Sequence, residues 1–530
     1  MFQKVPNFVL AIVSGLLFSA GWFAPLTILI FFAWVPLFII EDKISNNIEL
    51  KGKKSKIMWL TYLAFFVWNI CVTWWIYYAS FGGAVLAIVC NPLFMITAFM
   101  IWHNLKRRIN KPWAIWLLIP IWLGYEYGHT IWDLTWSWLI IGNAFAFNHN
   151  WVQWYEFTGT SGGSLWVLVV NVLVFNVIKK PNYSIKELAK PATIIIIPIA
   201  LSYTILSITT AHTNSVGTYK TVIVQPNVDP YNDKFYFAPE IQLHNALIQL
   251  QGKIDSTVDF LVFPETYLTE DFTEGRENDS YSLHFLVDSI LKFYPKLTIV
   301  TGASTFGVYK PSDKVSSTAR RDGNSENFFD VFNTGLQLNN EGISYYHKSK
   351  LVPGVERMPF PALFKPLESF AIDLGGTMGS LGTQDERGVF YSHDKKVRIA
   401  PVICYESAYS DYVAEYVRNG ANLIFILTND GWWENTPGHK QHLAYSRLRA
   451  IETRREIARC ANTGISCFVT PYGEIEQATP YWEQAIISKN MVPNNTQTLF
   501  VKFGDIISYA SAFLAILLFI WSQILRFKKS

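Results

Sequence analysis

Three residues have types and positions suited to acyl chemistry. Glu265 lies in LVFPET, where an apolar run delivers a carboxylate just after a proline. Lys348 lies in YYHKSKLVPGVE, and Cys404 ends the apolar run of RIAPVICYES. Singly, each has a plain structural reading: a loop-capping carboxylate, a solvated strand-edge lysine, and a buried thiol acting as a small hydrophobe. Together they make a nucleophilic set. Cys404 attacks a carbonyl, Glu265 takes its proton, and Lys348 stabilises the oxyanion with the backbone N–H of Tyr405. A helix starting after Cys404 would favour the thiolate. Lys350, two residues beyond Lys348, would share a strand face with it.

All three are expected at strand ends, so an alternating α/β region must carry them. From about Gly217 to Val501 short apolar runs alternate with amphipathic segments. Strands are expected at Tyr219–Val224, Phe260–Phe263, Leu297–Thr301, Val397–Ile403 and Asn422–Leu427. Helices are expected at Pro239–Lys253, Ser280–Lys292, Tyr409–Arg418 and Leu443–Arg459. This pattern predicts a layered α/β domain. Tyr309–Asn327 and Val355–Pro366 read as loops that move as substrate enters.

The flanks are of another kind. Half of the 530 residues are apolar and only 16% are charged, against about 25% in a typical soluble protein. Apolar runs at Val5–Trp22, Ala24–Ile40, Met58–Ala79, Gly83–Trp102, Trp113–Tyr125, Gly163–Ile178, Ala192–Ala211 and Ile506–Leu525 predict about eight transmembrane helices. Alternate connections are basic. One carries Lys43, Lys51, Lys53, Lys54 and Lys56; another Lys106, Arg107, Arg108 and Lys111; a third Lys179, Lys180, Lys186 and Lys190; the tail carries Arg526, Lys528 and Lys529. These should face the cytoplasm, which puts everything between the seventh and eighth spans outside. The resulting division is 1–211 as a membrane domain, 212–502 as an extracytoplasmic catalytic domain, and 503–530 as a last span with a basic tail. Met1–Ala24 has the make-up of a signal peptide too, but another apolar run comes at once, so we read it as a retained helix. Trp136, Trp138, Trp151 and Trp154 suit an interfacial belt.

A net charge of +3 without a dense basic run excludes a nucleic-acid partner. The five cysteines, Cys71, Cys90, Cys404, Cys460 and Cys467, have no zinc-ligand spacing and suggest no disulfide framework, which leaves only a Cys460–Cys467 contact open.

PE at 264–265, YHKSKLVP at 346–353 and VICYES at 402–407 resemble the carbon–nitrogen hydrolase (nitrilase-like) superfamily. Over almost its full length the chain resembles the family of apolipoprotein N-acyltransferases, which set such a domain after seven membrane helices and before a last one. VQPN at 224–227, FNTGLQL at 332–338, NDGWW at 429–433, QHLAYSRLRAIETRR at 441–455, ANTGIS at 461–466 and PYGEI at 471–475 add to the likeness. The resemblance implies an α-β-β-α sandwich with a triad of Glu265, Lys348 and Cys404. It implies Glu356 and Glu406 as further acidic site residues, with Tyr405, Asn333 and Trp432 nearby. It also implies a two-step reaction, a phospholipid acyl donor, a diacylated apolipoprotein acceptor, a monomer in the bacterial inner membrane facing the periplasm, and no metal or cofactor. Two departures stand out. Lys350 occupies a position that is often His, and Phe235 is the nearest aromatic to one that is often Trp. Two other readings fit parts of the pattern: a tethered hydrolase releasing acyl groups to water, with the same triad, and a transporter or receptor. The scarcity of charged residues inside the spans argues against the last.

Overall fold

A computed structural model describes residues 4–46, 54–180, 182–209, 217–234, 237–323, 325–358, 360 and 380–527. Lys51, Lys53, Lys528, Lys529, Phe235 and most of Val355–Pro366 lie outside the described residues. The chain forms two compact units: Met1–Tyr77 with Phe81–Ala211 and Phe503–Ser530, and Tyr78–Ser80 with His212–Lys502.

The first unit is helical. Six described helical stretches are long and apolar enough to cross a membrane: Ala24–Asn46, Lys54–Thr73, Phe81–Ile109, Tyr155–Ile178, Ile185–Ile208 and Ile506–Arg526. The other two expected spans contain helices of 14 residues each, Asn7–Ala20 and Leu118–Ile131. At 1.5 Å per residue each is roughly 21 Å long, short of a hydrocarbon core of about 30 Å. A 3-10 turn, Pro112–Leu117, precedes the second. The interior is aromatic: Phe18 stacks on Trp68 at 4.5 Å and Trp34 meets Trp122 edge-on at 4.5 Å. Its described buried carboxylates, Glu41 and Glu126, are both hydrogen-bonded, as a low-dielectric interior requires. Glu41 accepts from Ser45 Oγ (2.9 Å), lies 2.9 Å from His103 Nδ1 and meets Lys106. Glu126 Oε1 accepts from Trp122 Nε1 and Ile141 N, both at 3.0 Å. The expected tryptophan belt is not a surface feature. Trp138 and Trp154 are buried, Trp136 and Trp151 half-buried. Trp138 stacks on Trp136 at 5.8 Å, and Trp154 packs on Trp166 at 5.7 Å.

The second unit is built on two sheets. The first holds β1 (Tyr219–Gln225), β2 (Val258–Val262), β3 (Leu268–Thr273), β4 (Thr298–Val308), β5 (Arg320–Arg321), β6 (Phe328–Asn339), β7 (Gly342–His347) and β14 (Ala485–Met491). Its order is β14-β1-β2-β4-β6-β5, with β3 paired to β4 and β7 to β6. The second holds β8 (Phe390–Tyr391), β9 (Arg398–Ile403), β10 (Leu423–Thr428), β11 (Ile457–Ala461), β12 (Cys467–Val469) and β13 (Ile475–Glu476), in the order β13-β12-β11-β10-β9-β8. β1, β2 and β4 run parallel, as do β9, β10 and β11.

Side-chain alternation builds the layers. Ile223, Phe260 and Val262 share a core with Val402, Phe425 and Cys460 of the second sheet, and Phe260 meets Phe425 edge-on at 5.4 Å. Their neighbours Val222, Val224 and Leu261 face the other way, onto Leu243, Ala246 and Leu250 of helix Pro239–Leu250 and Leu283 and Leu286 of helix Tyr281–Leu286. Helix Ser410–Arg418 adds Val413, Ala414 and Val417 to the inter-sheet cluster, and helix Pro437–Thr453 adds Leu443 and Ala450. The result is an α/β domain of helices around two stacked sheets.

Two expectations change. The expected helix Leu443–Arg459 runs instead over Pro437–Thr453; Arg454 turns left-handed (φ 51°) and the chain enters β11. Buried pairing drives this shift, because Arg459 meets the Asp430 carboxylate from within β11. The segment Tyr309–Asn327 is tied down in part: Asp330 accepts from Ser316 Oγ (2.6 Å) and Thr318 Oγ1 (2.8 Å), and Arg320–Arg321 pair with Phe328–Phe329.

Candidate active site

Glu265 comes three residues after β2, Lys348 one after β7 and Cys404 one after β9. Crevices at the carboxyl ends of strands are where open α/β sheets place ligands. The turn carrying Glu265 is supported from below by Gly302 in β4, whose N–H donates to the Pro264 carbonyl at 3.0 Å. A Cβ at Gly302 would fall 2.2 Å from Thr266 N and 2.6 Å from Glu265 Cα, so only glycine fits this approach.

The two carboxylates and the lysine meet. Lys348 Nζ donates to Glu265 Oε1 at 2.9 Å and to Glu356 Oε1 at 2.7 Å. Asn333 Nδ2, from β6, donates to the same two oxygens at 2.8 and 3.3 Å. Glu356 Oε2 accepts from Val352 N at 2.8 Å. Lys348 is 1% exposed and Glu265 6%. Burial pushes the Glu265 carboxyl up, but the Lys348 ammonium and the bonds from Lys348 and Asn333 outweigh it and hold Glu265 below its ordinary value. Burial pulls Lys348 down, and the charges of Glu265 and Glu356 more than reverse this. At neutral pH the pair is therefore carboxylate and ammonium.

Cys404 feels the charges of both Glu265 and Lys348. Its backbone is left-handed (φ 46°), a conformation costing about 1–3 kcal/mol for a non-glycine residue. The strand-to-turn reversal is held by hydrogen bonds. The Cys404 carbonyl accepts from Ser407 Oγ at 2.7 Å and lies 3.1 Å from His442 Nε2. His442 Nδ1 is 2.9 Å from Asp430 Oδ1, and Asp430 also meets Arg459. Burial raises the Asp430 carboxyl, but Arg459 and His442 hold it well below the carboxylate range. Its charge therefore orients the ring, leaving Nε2 toward the Ser407–Cys404 turn.

The expected thiolate is not the resting state. Burial and the Glu265 charge push the Cys404 thiol up, and Lys348 only partly opposes them. Cys404 opens a five-residue 3-10 turn, Cys404–Ala408, too short for the expected helix dipole. The expected pairing of Lys348 and Lys350 on one strand face is also replaced. β7 ends at His347, and Lys350 lies over the rings of Tyr409 (5.1 Å) and Tyr412 (5.7 Å).

The remaining expected residues fall in different places. Glu406 is fully buried as an acceptor hub: Tyr346 OH (2.8 Å), Tyr412 OH (2.7 Å) and Ser349 N (2.8 Å) donate to Oε1, and Ile403 N (2.9 Å) to Oε2. It links the turn carrying Cys404 to the segment carrying Lys348. Tyr405 is buried and packs on Tyr409 at 5.1 Å. Trp432 packs edge-on against Tyr231 at 5.2 Å, and its carbonyl accepts the Tyr231 hydroxyl at 2.7 Å.

Sequence reasoning missed Lys234, Asp430 and His442. Lys234 is 2% exposed; its Nζ donates to the Glu265 carbonyl at 3.0 Å and to Thr266 Oγ1 at 2.5 Å, bracing the Glu265 turn. Burial lowers it to about 8 against the pull of Glu265 and Cys404. Asp430 was legible as a carboxylate just past an apolar strand. Nothing near Lys234 in sequence announces its burial.

Residues 222–499 match the carbon–nitrogen hydrolase family, and the chain belongs to that family. Residues 14–173 match the apolipoprotein N-acyltransferase N-terminal domain. The apolipoprotein N-acyltransferase of Chlorobaculum tepidum is 28% identical over 516 residues, 95% of this chain and 94% of its own length. That of Rickettsia typhi is 26% identical over 518 residues, 95% of each chain. A crystal structure of a nitrilase-superfamily protein from Saccharomyces cerevisiae aligns with a TM-score of 0.37 and 16% identity, over 55% of this chain and 97% of that one.

Proposed function

We propose that this membrane protein N-acylates the terminal amine of diacylglyceryl-cysteine on apolipoproteins, using a phospholipid as acyl donor. The observation that carries the reading is the Lys348 ammonium held between the Glu265 and Glu356 carboxylates beside a thiol in a strained left-handed turn. The matched relatives carry the corresponding name along nearly their whole length.

As the Cys404 sulfur attacks the donor's ester carbonyl, its proton passes to Glu265. The tetrahedral oxyanion faces the Lys348 ammonium and the backbone N–H of Tyr405. Collapse breaks the ester C–O bond, and Glu265 returns the proton to the departing lysophospholipid oxygen. The acceptor amine then attacks the thioester and loses a proton to Glu265. The C–S bond breaks and Cys404 is reprotonated, leaving an amide. Because the resting group is a thiol, proton transfer and attack are coupled. Glu356 and Asn333 fix Lys348 and Glu265 relative to each other.

We read eight membrane crossings, with the basic connections in the cytoplasm and the catalytic unit in the periplasm, acting as a monomer. Product analysis tests the function: purified protein, phospholipid and a diacylated lipopeptide should yield lysophospholipid and N-acylated peptide in equal amounts. Free fatty acid in place of the amide would make the protein a hydrolase.

A further inference from the structure

The helical unit contains a cavity of about 340 Å³ whose lining includes no residue assigned to acyl transfer. Its lining is graded along two helices. Ile101 and Phe519 form its apolar part. Seven residues further along the same helices stand Arg108 and Arg526, about 10 Å nearer the helix ends. Asn104 and Ser522 lie between, on the same faces at i+3. Lys54, at the start of Lys54–Thr73, adds a third cation, and among the described residues no acidic side chain belongs to the lining. Arg108 Nη1 donates to Ser522 Oγ at 2.7 Å, which joins the two helix ends. Cations near helix C-termini interact well with the macrodipole, but that interaction requires no cavity and no apolar wall.

We propose that this cavity binds the phosphate-bearing headgroup of an anionic phospholipid, with the start of its acyl chains along Ile101 and Phe519. The proposal rests on the reading of these helices as membrane-spanning, which sets their ends at headgroup level. Phosphate is the shared chemistry of a lipid headgroup and a free phosphate ion; the apolar part of the wall favours the lipid. Three cations around one site provide roughly a fivefold gain in binding each, about 1 kcal/mol per charge.

Native mass spectrometry of the full chain in detergent, titrated with phosphatidylglycerol, tests this. One lipid should be retained, with Arg108→Gln and Arg526→Gln each weakening retention roughly fivefold. Arg108→Gln also removes the bond to Ser522; Lys54→Gln leaves that bond intact and should show the same loss. Phosphatidylethanolamine should be retained less well, and excess inorganic phosphate should fail to displace phosphatidylglycerol. Unchanged retention in all three variants would overturn the proposal, and displacement by inorganic phosphate would assign the site to the free ion instead. Binding is read independently of acyl transfer, so a chain inactive as a transferase that retains lipid in this charge-dependent way leaves the proposal standing.

Discussion

The two sheets of the catalytic unit contribute opposite kinds of chemistry. The eight-stranded sheet supplies fixed charge: Glu265 beyond β2 accepts from Asn333 on β6 at 2.8 Å and from Lys348 beyond β7 at 2.9 Å. The six-stranded sheet supplies the proposed nucleophile, Cys404, whose thiol is pushed up by burial and whose strained backbone is held by Ser407, His442, Asp430 and Glu406. One sheet sets the electrostatics and the other the position. Buried charge fails catastrophically when one partner is removed, whereas a hydrogen-bonded turn relaxes gradually.

The largest effect of disturbing this division is expected on the charged side. Lys348→Met leaves the buried Glu265 and the half-buried Glu356 as like charges around one vacated point. Thermal unfolding should show a loss of about 3–5 kcal/mol, and acyl transfer should fall by at least roughly 10²–10³-fold from the lost oxyanion donor alone. Retained activity would mean that Lys348 is only a structural partner.

On the positional side the effect should be smaller and of another type. His442→Gln removes the ring from the Cys404 carbonyl while Arg459 still pairs with Asp430. A fall in kcat of roughly tenfold to hundredfold is expected, with KM little changed and about 1–3 kcal/mol of stability lost. If KM rises as much as kcat falls, the turn is a substrate contact rather than a support.

The smallest effect joins the two sides. Lys234 braces the Glu265 turn and is lowered by burial to about 8. Loss of its charge above that pH weakens the field on both Glu265 and Cys404. The pH profile of kcat/KM should therefore fall a few-fold through about 8, a limb absent from Lys234→Met. Between about 8 and the ordinary lysine value the unfolded chain binds the extra proton, so this group raises stability as pH rises across that window. Glu265 acts in the other range. Its lowered value adds stability above the ordinary carboxylate pKa and loses it as pH falls toward the folded one.

The same division decides how much of the site was legible in the sequence. Strand ends before Glu265 and Cys404 were visible as apolar runs, whereas the half-exposed β7 before Lys348 carries no such run. The convergence of the three residues could not be read, because β2 and β7 share a sheet only through long-range pairing and β9 reaches them by the stacking of the second sheet. The 3-10 turn at Cys404 and the shifted end of helix Pro437–Thr453 were hidden for a related reason. The local pattern predicted the length of that helix, 17 residues, but not its ends, which buried partners such as Asp430 with Arg459 move six residues toward the N-terminus. The short helices Asn7–Ala20 and Leu118–Ile131 show the same limit in the first unit, where apolar runs extend beyond the regular helix they form.

The measurement closest to the central claim is the intact mass of the purified protein after mixing with phospholipid, for the parent and for Cys404→Ala. The parent should gain the mass of one acyl chain and lose it when a diacylated lipopeptide is added, while Cys404→Ala gains nothing. An equal adduct on Cys404→Ala, or none on a parent that still transfers acyl chains, would contradict a thioester at Cys404.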